Sequence, residues 1–380
     1  MITSICKWLV FKGLYPICYH IGSMGKVDQN KILFVENHQD SLSDNYELLY
    51  KQLENKGFTL HTHYLKVASS GWFGIILRTV CLLFDMATAG CVFINESNSV
   101  FGSFRLRKGT KLIQVWHACG AFKKWGYSVA DKTFGDDRKT LERYSAHSNY
   151  TLVPVSGRKV CWAYEEAFGL QDKNGIVKPI GVSRTDVYFQ KEREQLAYEK
   201  LQNLQKFIAG RKIILYAPTF RGDIRTAAAP NKMDFKKMMQ LQEEYVILIK
   251  NHPFVKEKIA IPAECQTFCM EITDQLTIED LIIIADICIT DYSSIIFEYA
   301  LMRRPILFFA YDLEEYYDER GFYYPYAEFV PGPVVRNTEE ILERIIRIEQ
   351  FDGKRLENFC EQYMSGCDGH STERILEYVL

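Results

Sequence analysis

Short apolar runs alternating with helical patterns constrain the fold of this chain more than any other feature. Residues 31–35, 91–95, 112–116 and 151–155 read as strands in the first half, and 213–216, 246–249, 287–289 and 306–309 in the second. Helical stretches intervene, among them 42–56, 158–168, 235–242 and 278–284. Brief Ile- and Val-rich strands, each followed by a helix, belong to parallel sheets covered on both faces. A charged stretch at 191–205, without an apolar strand, separates the two blocks. The predicted fold class is therefore α/β with two Rossmann-type doubly wound domains, residues 1–190 and 191–380, the last helix being free to cross back. Ligands of such sheets bind beyond the carboxyl ends of the strands, and a cleft between two such domains is the expected site.

A chain of 380 residues favours two domains, and 47% hydrophobic with 25% charged residues is a globular composition. A net charge of −2 argues against nucleic acid as a partner. The 11 cysteines include no C-x-x-C pair, a pattern suited to a reducing compartment. No run reaches the roughly 20 apolar residues that span a bilayer. The apolar N-terminus is interrupted by Lys7, Lys12 and Pro16, and the stretch 72–86 by Arg78 and Asp85. No signal peptide is expected, and both stretches suit either a membrane interface or a core helix.

Candidate chemistry gathers at predicted strand ends. The run 287–301 reads as a strand, a polar turn with Asp291, Ser293 and Ser294, and then a helix. A serine there would cap the helix, and the positive helix end suits phosphate. Glu298, one turn in, is either a ribose ligand or an ordinary helix acid. His117 follows the strand 112–116, where an imidazole can take a proton near neutrality. Arg221 follows 213–216 through a Pro turn and can grip phosphate bidentately. Lys250 and His252 end the strand 246–249. Arg184 sits in a loop near the predicted boundary, lining the cleft or capping a helix. The stretch 222–231 reads as a loop over the cleft. Neither G-x-x-x-x-G-K-[ST], H-E-x-x-H, C-x-x-C nor D-x-D occurs. The H-x-H pair His61 and His63 lacks an obvious third ligand. No cofactor and no metal are expected, leaving Arg, His and helix ends to do the chemistry.

Taken in order, W-H-A-C-G-A-F-K-K (116–124), P-I-G-V-S-R-T-D (179–186), L-Y-A-P-T-F-R (215–221), I-K-N-H-P (249–253), D-I-C-I-T-D-Y-S-S (286–294) and R-P-I-L-F-F-A-Y-D-L-E-E-Y (304–316) form a specific set. With E-R-G-F-Y (319–323) and P-G-P-V-V (331–335), the set resembles the CDP-glycerol glycerophosphotransferase family of teichoic acid synthesis from about residue 90 onward. The resemblance implies a GT-B-like fold of two facing Rossmann-type domains, the first meeting acceptor and membrane and the second the CDP donor. It implies a peripheral enzyme on the cytoplasmic face of the membrane, moving glycerol phosphate from CDP-glycerol to a prenyl-diphosphate-linked acceptor and releasing CMP. His117 then falls where the proposed base lies, and His252 where a second functional histidine is placed. Arg221, Lys250, Asp291, Ser293, Ser294, Glu298 and Arg184 fall in segments expected to bind substrate. Many members carry Gly where this chain has Ala118, which keeps the turn only at negative φ.

CDP-ribitol as donor is the first alternative, a GT-B sugar transferase for capsule polymer the second, and a non-catalytic nucleotide-binding scaffold the third. Lack of the long N-terminal extension of many polymerases leans towards a primase or a short-chain transferase. Homo-oligomerisation stays open.

Overall fold

Among the described residues, twelve short strands, all in parallel pairings, organise the chain into two units. The computed structural model describes residues 2–66, 71–132, 135–173, 175–222, 226–252 and 254–380, the side chains of 2, 3 and 317–320 excepted. Residues 223–225 of the loop expected over the cleft, and Pro253, therefore lie outside the described residues. The first unit comprises Met1–Ala118, Lys124–Asp186 and Ser365–Leu380, and the second Cys119–Lys123 and Val187–Met364.

In the first unit, β1 (Asp28–Glu36), β2 (Thr59–Tyr64), β3 (Ala89–Ile94) and β4 (Lys111–Gln114) form a sheet in the order β2-β1-β3-β4. A parallel bridge from Ile113 to Leu152 continues it towards the pair β5 (Val153–Pro154) and β6 (Val177–Lys178). Every residue of β3 is buried, as a central parallel strand requires. Phe34, Phe93, Tyr46 and Leu49 fill the core on one face, where Ile375 and Leu376 of the C-terminal helix Ser371–Val379 join them. The order reverses between β1 and β3, which makes the carboxyl ends of those strands a switch point.

The second unit carries β7 (Lys212–Tyr216), β8 (Tyr245–Ile249), β9 (Cys269–Glu271), β10 (Ile287–Thr290), β11 (Ile306–Phe309) and β12 (Val334–Val335) in the order β12-β11-β10-β7-β8-β9. Counted from β7 this is the 3-2-1-4-5-6 order of dinucleotide-binding sheets, with its switch point between β7 and β10. Thr277 and Asp280 close a reciprocal capping box at the start of helix Ile278–Ile284, which delivers the chain into β10.

Two expected strands are shorter than the apolar pattern suggested. The run 112–116 leaves the sheet at Gln114, because Trp116 takes φ 57° and turns the chain before His117. Such a backbone is unusual for a bulky residue. The run 151–155 pairs only at Val153–Pro154. β2, β6, β9 and β12 were not anticipated: β2 (TLHTHY) is a polar edge strand, and the others span two or three residues.

Among the described residues no helix is long and apolar enough to cross a membrane. Of the N-terminal helical run Ile2–Leu9, Val10–Leu14 and Tyr15–Gly22, the last segment packs on helix Gly71–Met86. Tyr15, Tyr19, Leu82, Leu83 and Met86 face inward, so the stretch 72–86 is only half a core helix. Trp8, Ile17, Ile21, Leu77 and, at 82% and 81% exposure, Trp72 and Phe73 stay in solvent. His61 and His63 on β2 both contact Asp85 Oδ2, at 2.8 and 2.7 Å, while Lys31 pairs with the same carboxylate. That cluster ties the helix to the sheet edge.

Candidate active site

The first unit presents His117 beside the switch point of its sheet. The turn at Trp116 is held by its amide donating to Gln114 Oε1 at 2.9 Å. His117 Nδ1 then lies 3.2 Å from the Asn95 carbonyl and 3.1 Å from Glu96 Oε1. Both neighbours only accept, so the ring proton sits on Nδ1 and Nε2 carries the free lone pair. A base needs that tautomer, and a carboxylate behind it stabilises the imidazolium formed when it takes a proton. Arg184 Nη1 donates to the His117 carbonyl at 3.0 Å, which fixes the turn from below. Ala118 is absent from the positive-φ residues, so its methyl fits, and its carbonyl accepts from Tyr164 at 3.2 Å.

Beneath this turn lies a polar network that the sequence did not disclose. Glu36, the last residue of β1, and Asn95, just past β3, are 2% and 3% exposed. Glu36 Oε1 accepts from the Ser43 amide at 2.7 Å and Oε2 from Asn95 Nδ2 at 3.1 Å.

The second unit gathers its polar groups at the switch point between β7 and β10. Asp291, 2% exposed, accepts from the Thr219 amide (2.8 Å), the Tyr292 amide (2.6 Å) and Arg221 Nη2 (3.0 Å). It therefore pins the two strand ends together. Arg221 is already heavily engaged: Nε and Nη2 fork onto Asp312 at 2.6 and 3.0 Å, Nη2 reaches Asp291, and Nη1 donates to the Thr219 carbonyl at 2.7 Å. The guanidinium also donates to the Tyr311 side chain, so its hydrogen bonds are committed within the protein. Tyr292, Tyr311 and Tyr316 place their rings 5.1, 5.3 and 5.4 Å from the guanidinium carbon.

Lys250 likewise spends two donors on the carbonyls of Thr273 and Leu276 (2.6 and 2.7 Å), and burial lowers its pKa. His252 sits between the Phe220 and Phe254 rings, each 4.8 Å away. Its Nδ1 accepts from the Phe254 amide at 3.2 Å, which leaves Nε2–H as a donor. Burial, then the Lys123 charge, pulls its pKa below the ordinary value, so the ring is neutral at pH 7. A neutral imidazole donates one hydrogen bond to a phosphate without bringing a fixed charge.

The turn before helix Ile295–Leu301 differs in detail from the expected cap. Ser294 occupies the cap position without a side-chain bond, and Ser293 Oγ accepts from the Ile295 amide at 3.3 Å. Glu298 is 3% exposed, which removes the reading of a solvated helix acid. Buried polar atoms without a protein partner cluster at the same strand ends: Tyr216 OH, Thr219 Oγ1 and Asn251 Oδ1. Orphaned groups of this kind are costly unless a ligand or water meets them. Thr219 and Asn251 lie inside the A-P-T-F-R and K-N-H runs, so the motifs held the signal. Asp312 lies inside the R-P-I-L-F-F-A-Y-D-L-E-E-Y run, but its ion pair with Arg221 depends on the fold.

The fold has close counterparts. The wall teichoic acid polymerase TagF has a solved structure that matches with TM-score 0.72 over 96% of this chain and 92% of that one, at 20% identity, which makes the fold GT-B-like. In sequence, the teichoic acid ribitol-phosphate primase of Bacillus spizizenii is 33% identical over 377 residues, 97% of this chain and 96% of that protein. The teichoic acid glycerol-phosphate primase of Bacillus subtilis is 33% identical over 307 residues, covering 80% and 76%. Residues 17–380 match the model for CDP-glycerol:poly(glycerophosphate) glycerophosphotransferases, and the chain belongs to that family.

Proposed function

We propose that the protein transfers glycerol phosphate from CDP-glycerol to a hydroxyl of a prenyl-diphosphate-linked teichoic acid acceptor at a membrane surface. Family membership over residues 17–380 carries the donor class and the transfer. The acceptor hydroxyl oxygen attacks the phosphorus that bears glycerol, the bond to CMP breaks in line, and CMP leaves. Such transfer rests on positioning and charge neutralisation more than on covalent chemistry.

The role of base falls to His117, whose Nδ1 is tied to Glu96 at 3.1 Å and whose Nε2 is open to a proton. General base action of this kind contributes typically about 10²–10⁴ in rate. In the second unit, His252 Nε2–H, the guanidinium charge of Arg221 and the hydroxyls of Thr219, Ser293 and Ser294 are the groups suited to diphosphate oxygens. Glu298 is assigned to the ribose. Asp291 and Lys250 support that surface from behind through the bonds already described, and Arg184 does the same for His117. The exposed apolar residues of the N-terminal helices and Gly71–Met86, with Lys7, Lys12 and Arg78 nearby in sequence, suit an anionic lipid surface.

CDP-ribitol is the second reading, favoured because the ribitol-phosphate primase aligns over 97% of this chain and the glycerol-phosphate primase over 80%, at equal identity. Incubating purified protein and lipid-linked acceptor with each CDP-polyol separately, and weighing the products, decides between them. Release of CMP from neither donor would remove both.

A further inference from the structure

We propose that Asn95, carried by Glu36 and Ser43, is the residue that recognises the acceptor polyol, through a hydroxyl adjacent to the one that attacks. The inference rests on the phosphotransfer reading above and names the acceptor subsite of that same centre.

The orientation of the Asn95 amide is fixed by its neighbours. Nδ2 donates to Glu36 Oε2 at 3.1 Å and to Ser43 Oγ at 3.0 Å. A carboxylate only accepts, so the atom against Glu36 must be the nitrogen, and both its hydrogens are used. Oδ1 is left buried with no protein partner, on a side chain 3% exposed. Glu36 is itself held by the Ser43 amide at 2.7 Å, so the amide cannot turn over without stranding a carboxylate. The strained outcome is an acceptor atom that wants an O–H or N–H donor from outside the protein.

Its place in the fold favours a ligand over an incidental gap. Glu36 ends β1 and Asn95 follows β3, the strands between which the sheet order reverses. The Asn95 carbonyl is the group that receives His117 Nδ1, so residue 95 serves the base through its main chain and offers its side chain within the same turn. A second orphan, Asn37 Nδ2, is a donor, while its own Oδ1 accepts from Asn98 at 2.9 Å. Asn95 Oδ1 is an acceptor and Asn37 Nδ2 a donor, the two roles a hydroxyl fills. Glu36 and Glu96 beside them oppose an anion, so the group recognised is a neutral hydroxyl and not a phosphate.

The test uses the full chain with its CDP-polyol and two acceptors: a prenyl-diphosphate-linked disaccharide ending in glycerol phosphate, and the same molecule lacking the hydroxyl next to the attacking one. Wild-type protein should use the deoxy acceptor about ten- to a hundredfold less efficiently in kcat/KM, since a site built to bond a hydroxyl rejects the analogue without it. Asn95→Ala should lose a similar factor on the intact acceptor and treat the two alike within about twofold, with its donor Kd within about twofold of wild type. Equal use of both acceptors by the wild type would mean that Oδ1 holds only a water, and the inference fails while the phosphotransfer reading stands. That wild-type comparison decides alone if Asn95→Ala proves too unstable to bind donor. Absence of CMP release from either CDP-polyol would overturn the parent reading and this inference with it.

Discussion

Replacing Glu96 by Gln tests whether His117 works as an oriented base. The Glu96 carboxylate lies 3.1 Å from His117 Nδ1, with side chains 24% and 41% exposed. A fully buried pair of this type would be worth several kcal/mol, but solvent at this exposure screens the charge, and the effect shrinks to about 1–2 kcal/mol. The imidazolium forms only as the acceptor proton is taken, so the loss falls on the transition state and spares the bound donor. Glu96→Gln should therefore lower kcat about five- to thirtyfold and leave donor Kd within about twofold. Because Glu96 acts through His117, the change should add nothing to His117→Ala, whose own residual rate comes from positioning alone. Initial rates of CMP release and calorimetric donor titration on the two single variants and the double variant give all the terms. An undiminished kcat, or a full further loss in the His117→Ala background, would refute the pairing as a catalytic device.

Three further outcomes are expected. Arg221→Ala leaves the buried carboxylates of Asp291 and Asp312 without their cation, at 3% and 15% side-chain exposure, so denaturant melting should show about 3–5 kcal/mol of lost stability; unchanged stability with weaker donor binding would instead make Arg221 chiefly a phosphate clamp. His147 is buried against Phe168 and Tyr150, and burial pushes its pKa down to about 3. Its folded pKa lies below the unfolded one, so the unfolded chain binds the extra proton on acidification; stability should fall by about 2 kcal/mol from this group between pH 7 and pH 5, and His147→Gln should flatten that slope in urea melts at the two pH values. A Trp72→Ser, Phe73→Ser double variant should lower binding to anionic vesicles about tenfold or more in a sedimentation assay, given 82% and 81% exposure of the two rings; equal sedimentation would show that this face does not meet lipid.

Two parallel α/β units were legible in the sequence because β3, β7, β8, β10 and β11 are buried on both faces and read as unbroken apolar runs. His117, Arg221, His252 and the 291–294 turn stood out as candidates because each lies just beyond a strand-like run. What those residues do with their hydrogen bonds was not legible. Arg221 is committed to Asp312, ninety-one positions away, and His117 to Glu96, twenty-one positions earlier on a different strand end. Local pattern records which strand a side chain leaves, but not which neighbour parallel pairing sets beside it. Strand order fixes that neighbour: β1 against β3 brings Glu36 to Asn95, and β7 against β10 brings Thr219 to Asp291. Alternation of strand and helix is a property of short windows, so the chain alone determined its class and its motif-bearing ends; the charge partners and the orphaned amide at residue 95 depend on sheet order, which exists only once distant segments have packed.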